Sequence, residues 1–273
     1  METLTTTIEF PAIAALEQHW PEYLMEAAGL GSFMISACVF TAIFEHPASP
    51  IHEALPDATF RRVLIGIAMG LTAISIFYSP WGKRSGAHLN PSVTLTFLSL
   101  GKIRAWDAFF YVLAQFAGGV GGVGLASLII GQAIGHPAVN YAVTMPGPGG
   151  QWVAFGAEFL ISFFMMAAVL GASNSKSVAR FTPLFAGALV ATYISLEAPL
   201  SGMSMNPART LGSAVNAVAF RALWVYFTAP LAGMLLAARL YLLQRGAHRV
   251  FCAKLHHHNS QPCIFRCNYG ALN

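Results

Sequence analysis

"SGAHLNPSVTL" at residues 85–95 and "SGMSMNPARTL" at 201–211 place Ser, Gly, Asn-Pro, Thr and Leu at matching positions. Each Asn-Pro opens a short apolar run, 90–99 in one case and 206–215 in the other. Ten helical residues rise about 15 Å, half of the ~30 Å hydrocarbon core of a bilayer. Such a run can enter a membrane but cannot cross it. Pro suits the first helical turn, where its missing N–H has no intrahelical partner to lose, and Asn is among the best caps before it. Each pair therefore reads as the start of a half-helix.

The composition supplies the membrane. Of 273 residues, 56% are apolar and only 10% charged, against about 25% charged in an ordinary soluble domain. Mean hydropathy is +0.59. The formal charge of +4 comes from Lys and Arg scattered between apolar blocks, which is no footprint for nucleic acid. Four cysteines, Cys38, Cys252, Cys263 and Cys267, are too few for a disulfide framework in a chain of this size. Residues 1–21 carry three Glu, no Lys or Arg and a Pro at 11, so they are no signal peptide. The first span is expected to act as an uncleaved insertion signal.

Six stretches are long enough to span: 22–44, 61–79, 106–131, 151–172, 181–197 and 219–243. With both termini on one side, the segments there hold ten Lys and Arg, from Lys83, Arg84, Lys102 and Arg104 through Arg266, while the opposite segments hold Arg61, Arg62 and Arg221. The positive-inside rule then predicts cytoplasmic termini and a multi-pass protein of the cell membrane. The expected organisation is a cytoplasmic segment 1–21, a channel domain 22–243 with repeats 22–131 and 151–243, and a cytoplasmic tail 244–273.

The repeat is visible elsewhere. "YVLAQFAG" at 111–118 answers "YFTAPLAG" at 226–233, and Glu26 in the first span answers Glu158 in the fourth. Each half is span, span, half-helix, span. Three spans is an odd number, so the second half enters the membrane upside down, an arrangement that places its site at the midplane. The linker 132–150 joins the halves, and 45–60, with three Pro, is an insertion in the first. The half-helices then meet N-terminus to N-terminus, bringing Asn90 and Asn206 together. Two helix N-termini contribute roughly half a positive charge each, which repels cations. Non-helical backbone at that depth requires a water-filled cavity or burial in protein. The residues by themselves describe an all-α membrane protein with a narrow pore for neutral solutes.

The core, 22–243, resembles the aquaporin or major intrinsic protein family, which carries two Asn-Pro-Ala boxes in inverted halves, Gly-x-His before the first and Arg after the second. Here the first box reads Asn90-Pro91-Ser92, a departure at its third position, and the second is intact as Asn206-Pro207-Ala208-Arg209; Gly86 and His88 complete the pattern. Six spans and two re-entrant half-helices follow from the resemblance, as does a homotetramer with one pore per subunit. It implies that Asn90 and Asn206 form the pore centre and that His88 lines the inner approach. Arg209, Met203, Ile194 and Met69 would form the outer constriction. Glu26 and Glu158 would accept hydrogen bonds from the non-helical loops behind the pore. Ser92 would affect packing rather than selectivity.

The resemblance also bears on the permeant. Water channels of the family usually oppose the Arg with a His and an aromatic, where this chain has Ile194 and Met69. Glycerol facilitators usually have Asp directly after the Arg, a base four residues later and Pro-Leu or Pro-Ile on the sixth span. Here those places hold Thr210, Ala214 and Tyr226-Phe227, matching the water-channel branch. Water is the expected permeant, with an apolar filter that admits a small neutral solute such as glycerol, ammonia or hydrogen peroxide. A glycerol facilitator of the same fold, a coupled secondary transporter and a non-conducting membrane scaffold are the alternatives.

No nucleophile–base pair, phosphate loop or metal-ligand set occurs in the core, so neither enzyme activity nor a cofactor is expected. "GGVGGVG" at 118–124 reads as a small-residue face for close helix packing, and Cys38 as ordinary packing. The tail gathers Cys252, His256, His257, His258, Cys263 and Cys267. Their spacing fits no zinc-finger pattern, and the tail is expected to be a mobile segment without metal.

Overall fold

A computed structural model describes residues 11–269. Eight principal helices follow in chain order: α1 (Ala12–Glu45), α2 (Ala58–Tyr78), α3 (Pro91–Ser99), α4 (Ala105–Ile130), α5 (Gly150–Ser173), α6 (Thr182–Leu196), α7 (Pro207–Ala217) and α8 (Leu223–Arg245). Among the described residues there is no strand. Six of the helices, all but α3 and α7, are long and apolar enough to cross a membrane, α6 together with the 3-10 turn before it. Large apolar side chains stand exposed on every one of them, including Leu24, Leu71, Leu128, Phe164, Leu196 and Leu243. Hydrocarbon is the solvent that such a belt requires.

The repeat sets the packing. In the first half α1 lies along α4, and in the second α5 lies along α8. Between halves, α2 packs on α6, α7 packs on α4 and α3 packs on α8. Small residues make these contacts close. A Cβ at Gly118 or Gly122 would strike the backbone of α1 at Ala27 or Gly31, one at Gly233 that of Phe159, and one at Gly66 or Gly70 that of α6. In lipid, where apolar surface gains nothing by leaving its solvent, such backbone-to-backbone packing is a main source of helix association.

Three boundaries differ from those read in the sequence. Helix α1 begins at Ala12 rather than at 22, running through Pro21. The segment up to 21 is thus partly helical, and residues 1–10 lie outside the described region. Helix α8 begins at Leu223 rather than at 219, because Val218 and Ala222 take left-handed backbone (φ 51° and 56°) and the chain between them turns. The largest difference is the tail. After Gly246 it folds back on the core, burying Val250, Ala253 and Lys254. Lys254 Nζ donates to the carbonyls of Gln261 (3.1 Å) and Pro262 (2.8 Å), closing the tail into a compact loop. Val250, Cys252, Leu255 and Phe265 join the apolar cluster of the helices, and that burial fixes a segment expected to move.

Candidate functional site

The two Asn-Pro pairs do what their residue types dictate. Asn90 caps α3, its Oδ1 accepting the Ser92 N–H at 2.8 Å. Asn206 caps α7, accepting the N–H groups of Ala208 at 3.0 Å and Arg209 at 3.2 Å. Their amide nitrogens cross between the repeats. Asn90 Nδ2 donates to the Met205 carbonyl at 2.7 Å, and Asn206 Nδ2 donates to the Leu89 carbonyl at 2.7 Å. Each NH₂ retains a second hydrogen, and both residues face one cavity of about 620 Å³.

The loops that deliver these caps share an unusual backbone. Gly86, Ala87 and Leu89 have φ of 92°, 55° and 51°, and Gly202, Met203 and Met205 have 81°, 51° and 55°. Left-handed backbone at a non-glycine residue costs of order 1–3 kcal/mol, so something must hold it. Glu26 accepts from Ser85 Oγ (2.8 Å), the N–H groups of His88 (3.1 Å) and Leu89 (2.6 Å), and Gln115 Nε2 (2.8 Å). Glu158 accepts from Ser201 Oγ (2.7 Å) and the N–H groups of Ser204 (2.7 Å) and Met205 (2.6 Å). Both carboxylates are fully buried. Tyr111 and Tyr226 complete the pattern by donating to the carbonyls of Ser85 and Ser201, each at 2.6 Å. The paired Ser and Tyr stand in the quoted repeats, where they signal repetition and give no hint of their supporting role.

The residues expected at the outer constriction line the cavity too. Arg209, Met203, Ile194 and Met69 line the same cavity as the two Asn. Met69 and Met203 are buried, and the Arg209 Nη1 atom is buried without a protein partner. Thr210, directly after the Arg, is turned away from solvent. Its hydroxyl meets Thr144 Oγ1 at 2.8 Å and Ser204 Oγ at 2.6 Å, tying the linker between the halves to the second loop. Thr210 and Tyr226, read as branch markers, are thus structural ties in this chain. The hydroxyl of Ser92 is buried with no partner, among packed atoms.

His88 lies at the tail side of the cavity, 3% exposed. Its Nε2 lies 2.9 Å from the Ala253 carbonyl and its Nδ1 lies 3.0 Å from Thr94 Oγ1. A carbonyl only accepts, so Nε2 carries a hydrogen, and in the neutral ring Nδ1 then accepts from the Thr94 hydroxyl. Gln115 Nε2 in turn donates to Thr94 Oγ1 at 3.0 Å. The ring is stacked between Phe97 and Phe265, with centroids at 5.2 and 5.3 Å. Sequence reasoning placed His88 at the pore but missed that Ala253 and Phe265 of the tail cover it.

Comparison with known proteins now has a geometry to meet. The sequence profile described as Major intrinsic protein matches residues 17–241. Aquaporin NIP6-1 of Arabidopsis thaliana is 34% identical over 202 residues, covering 74% of this chain and 64% of that protein. Aquaporin NIP1-2 of the same plant is 32% identical over 185 residues, covering 66% of this chain and 62% of that one. The chain therefore spans somewhat less than two thirds of the length of these relatives. Aquaporin NIP2-3 of Zea mays is 35% identical over 215 residues, covering 78% and 69%. Among solved structures, the aquaglyceroporin from Plasmodium falciparum superposes with a TM-score of 0.69 over 82% of this chain and 96% of that one, at 19% identity, a likeness of fold. With the profile spanning most of its length, this chain belongs to the major intrinsic protein family.

Proposed function

We propose that the protein is a passive channel that conducts water and small uncharged solutes across a cell membrane. The observation that carries this reading is one cavity that holds both Asn caps, Arg209, and the apolar side chains of Met69, Ile194 and Met203. Asn90 and Asn206 have one amide hydrogen each left to donate to a passing oxygen. The facing helix N-termini and the Arg209 guanidinium make the path positive, so cations and protons are repelled. Arg209 and its three apolar neighbours set the width and polarity of the mouth away from the tail, and His88 lines the approach from the tail. The pattern of Lys and Arg supports cytoplasmic termini, and family membership supports a homotetramer with a pore in each subunit.

The name of the relatives, aquaporin, fits water as the permeant. The apolar side chains of Met69, Ile194 and Met203, in one cavity with Arg209, favour a second permeant of polyol size. A coupled transporter finds less support: Glu26 and Glu158, the paired acids of the two repeats, are engaged by the loops rather than offered to a driving ion. Liposome shrinkage under a sucrose step and re-swelling under a glycerol step test the proposal. Fast shrinkage in both, followed by fast re-swelling in glycerol, is expected. Shrinkage no faster than that of empty vesicles sinks the channel and leaves the scaffold.

A further inference from the structure

The tail spacing Cys252, His257, Cys263, Cys267 matches no finger motif, yet its fold gathers these four side chains. Their ligand atoms, three Sγ and one imidazole nitrogen, all lie within 4.8 Å of one another. Cys252 Sγ is 3.5 Å from Cys263 Sγ, and Cys267 Sγ is 3.0 Å from His257 Nε2. Zinc bonds of about 2.3 Å to sulfur and about 2.0 Å to nitrogen put the corners of a tetrahedron roughly 3.5 to 3.8 Å apart. The two closest pairs, at 3.5 and 3.0 Å, are at or inside that spacing, and with every separation within 4.8 Å the set needs only small side-chain shifts to close on an ion. Three thiolates and one imidazole are a structural zinc set, and soft sulfur ligands in a tetrahedron disfavour magnesium, calcium or manganese.

The surroundings are those of a built site. The Lys254 N–H points at Cys252 Sγ (3.5 Å) and the Tyr269 N–H at Cys267 Sγ (3.4 Å). The Phe265 N–H serves Cys263 in the same way. Each sulfur thus has a backbone donor two residues on, the kind of outer support that orients thiolate ligands. The His257 ring is held flat against Tyr269, with centroids 4.3 Å apart.

The same segment covers one mouth of the cavity. Beyond the His88 contacts, the Leu255 N–H donates to the Gly86 carbonyl at 3.2 Å, and the Leu255 side chain lines the cavity. The Arg266 N–H donates to the Lys102 carbonyl at 3.0 Å, and the Phe251 N–H donates to Asn174 Oδ1 at 2.7 Å. His256 packs on Tyr78 at the end of α2, with centroids 5.1 Å apart. The cap is therefore anchored on the first re-entrant loop, on α2 and on the α5–α6 connection.

We propose that Cys252, His257, Cys263 and Cys267 bind a zinc ion that staples the tail across this mouth of the pore. The metal site stands on its own geometry; its effect on flux rests on the channel reading above. Binding forms three Zn–S bonds and one Zn–N bond, and the three thiol protons leave to solvent. With cytoplasmic termini the tail meets a reducing compartment, which favours metal ligation over a disulfide.

The test uses full-length protein purified under reducing conditions. Elemental analysis is expected to find stoichiometric zinc, lost in Cys263→Ser and Cys267→Ser and retained in His257→Cys, which offers four thiolates. Cobalt(II) added to the zinc-stripped protein should give intense thiolate-to-cobalt bands in the wild type and none in Cys263→Ser. In liposomes, zinc-stripped protein and Cys263→Ser should conduct water several-fold faster than loaded wild type, with zinc restoring the slow rate only in the wild type. Absence of both zinc and thiolate–cobalt bands overturns the site. So does a disulfide between Cys252 and Cys263, seen as an intact mass lower by two hydrogens and located by peptide mapping. Equal flux from loaded and stripped protein overturns the staple. Stoichiometric zinc with no flux in any form leaves the metal site standing and removes the channel reading instead.

Discussion

The two re-entrant loops are built alike and finished differently. Each has a glycine and two further residues in left-handed backbone, a buried Glu accepting the loop N–H groups, a Ser and a Tyr in matching places, and an Asn reaching into the other repeat. What differs is the company beyond the scaffold. The second loop stands beside Arg209 and the apolar wall. The first stands beside His88, and His88 is roofed by the tail. One frame, written twice, thus carries two different settings, with Arg209 beside one copy and the tail over the other. The expensive part, strained backbone at membrane depth, is duplicated, and specialisation is confined to side chains that the frame does not need.

The largest effects should come from the frame. Glu26→Ala leaves four buried donors unserved and Glu158→Ala leaves three, at about 1–3 kcal/mol for each stranded group. Both variants should lose most of their folded yield in detergent, with Glu26→Ala the worse. The asymmetry arises because Gln115 serves only the first loop; the corresponding place in the second repeat is Pro230. Equal thermal midpoints for the two would show that Gln115 adds nothing and that the frames are energetically the same.

Arg209→Val tests the filter. A cation passing about 5 Å from the guanidinium at an effective dielectric of ~20 meets roughly 3 kcal/mol of repulsion. Its removal should raise cation leak in planar bilayers by about a hundredfold, with folded yield unchanged. Leak as low as that of the wild type would assign cation exclusion to the helix N-termini alone.

Ile194→His should act more gently, adding a donor opposite Arg209 and narrowing the mouth. Glycerol entry should fall several-fold while water flux holds within a factor of two. A parallel loss of both permeants would place the narrowest point elsewhere. Smallest of all is Ser92→Ala, which makes the first box match the second. The Ser92 hydroxyl is buried and unpartnered where the second box has fully buried Ala208. Removing it should leave flux unchanged and raise stability by up to about 1 kcal/mol, read as a small rise in melting temperature.

Much of this was legible in the chain because the deciding signals are local. Asn-Pro fixes a helix start, and a twenty-residue apolar run fixes a span. The placement of Glu26 and Glu158 behind the loops followed from repetition and family likeness. Elsewhere the determinants are distant or compete. The first span was read from 22, just past Pro21, yet α1 begins at Ala12, in largely exposed turns that lean on few partners. The turn before α8 depends on left-handed Val218 and Ala222, residues with no intrinsic taste for that region. The tail was hardest. His88, Gly86 and Lys102 receive it from more than 150 residues away in sequence, and no local pattern announces such a contact.

The crossed amides bear on how the two halves come together. The Asn90 amide nitrogen donates to Met205 of the other repeat, and that of Asn206 to Leu89. A solitary half would strand a carbonyl and an amide in the middle of a bilayer, with no water to satisfy them. Neither half is therefore complete at the midplane until the other has arrived, so the two re-entrant loops must settle together, and the last step of assembly is shared between the repeats.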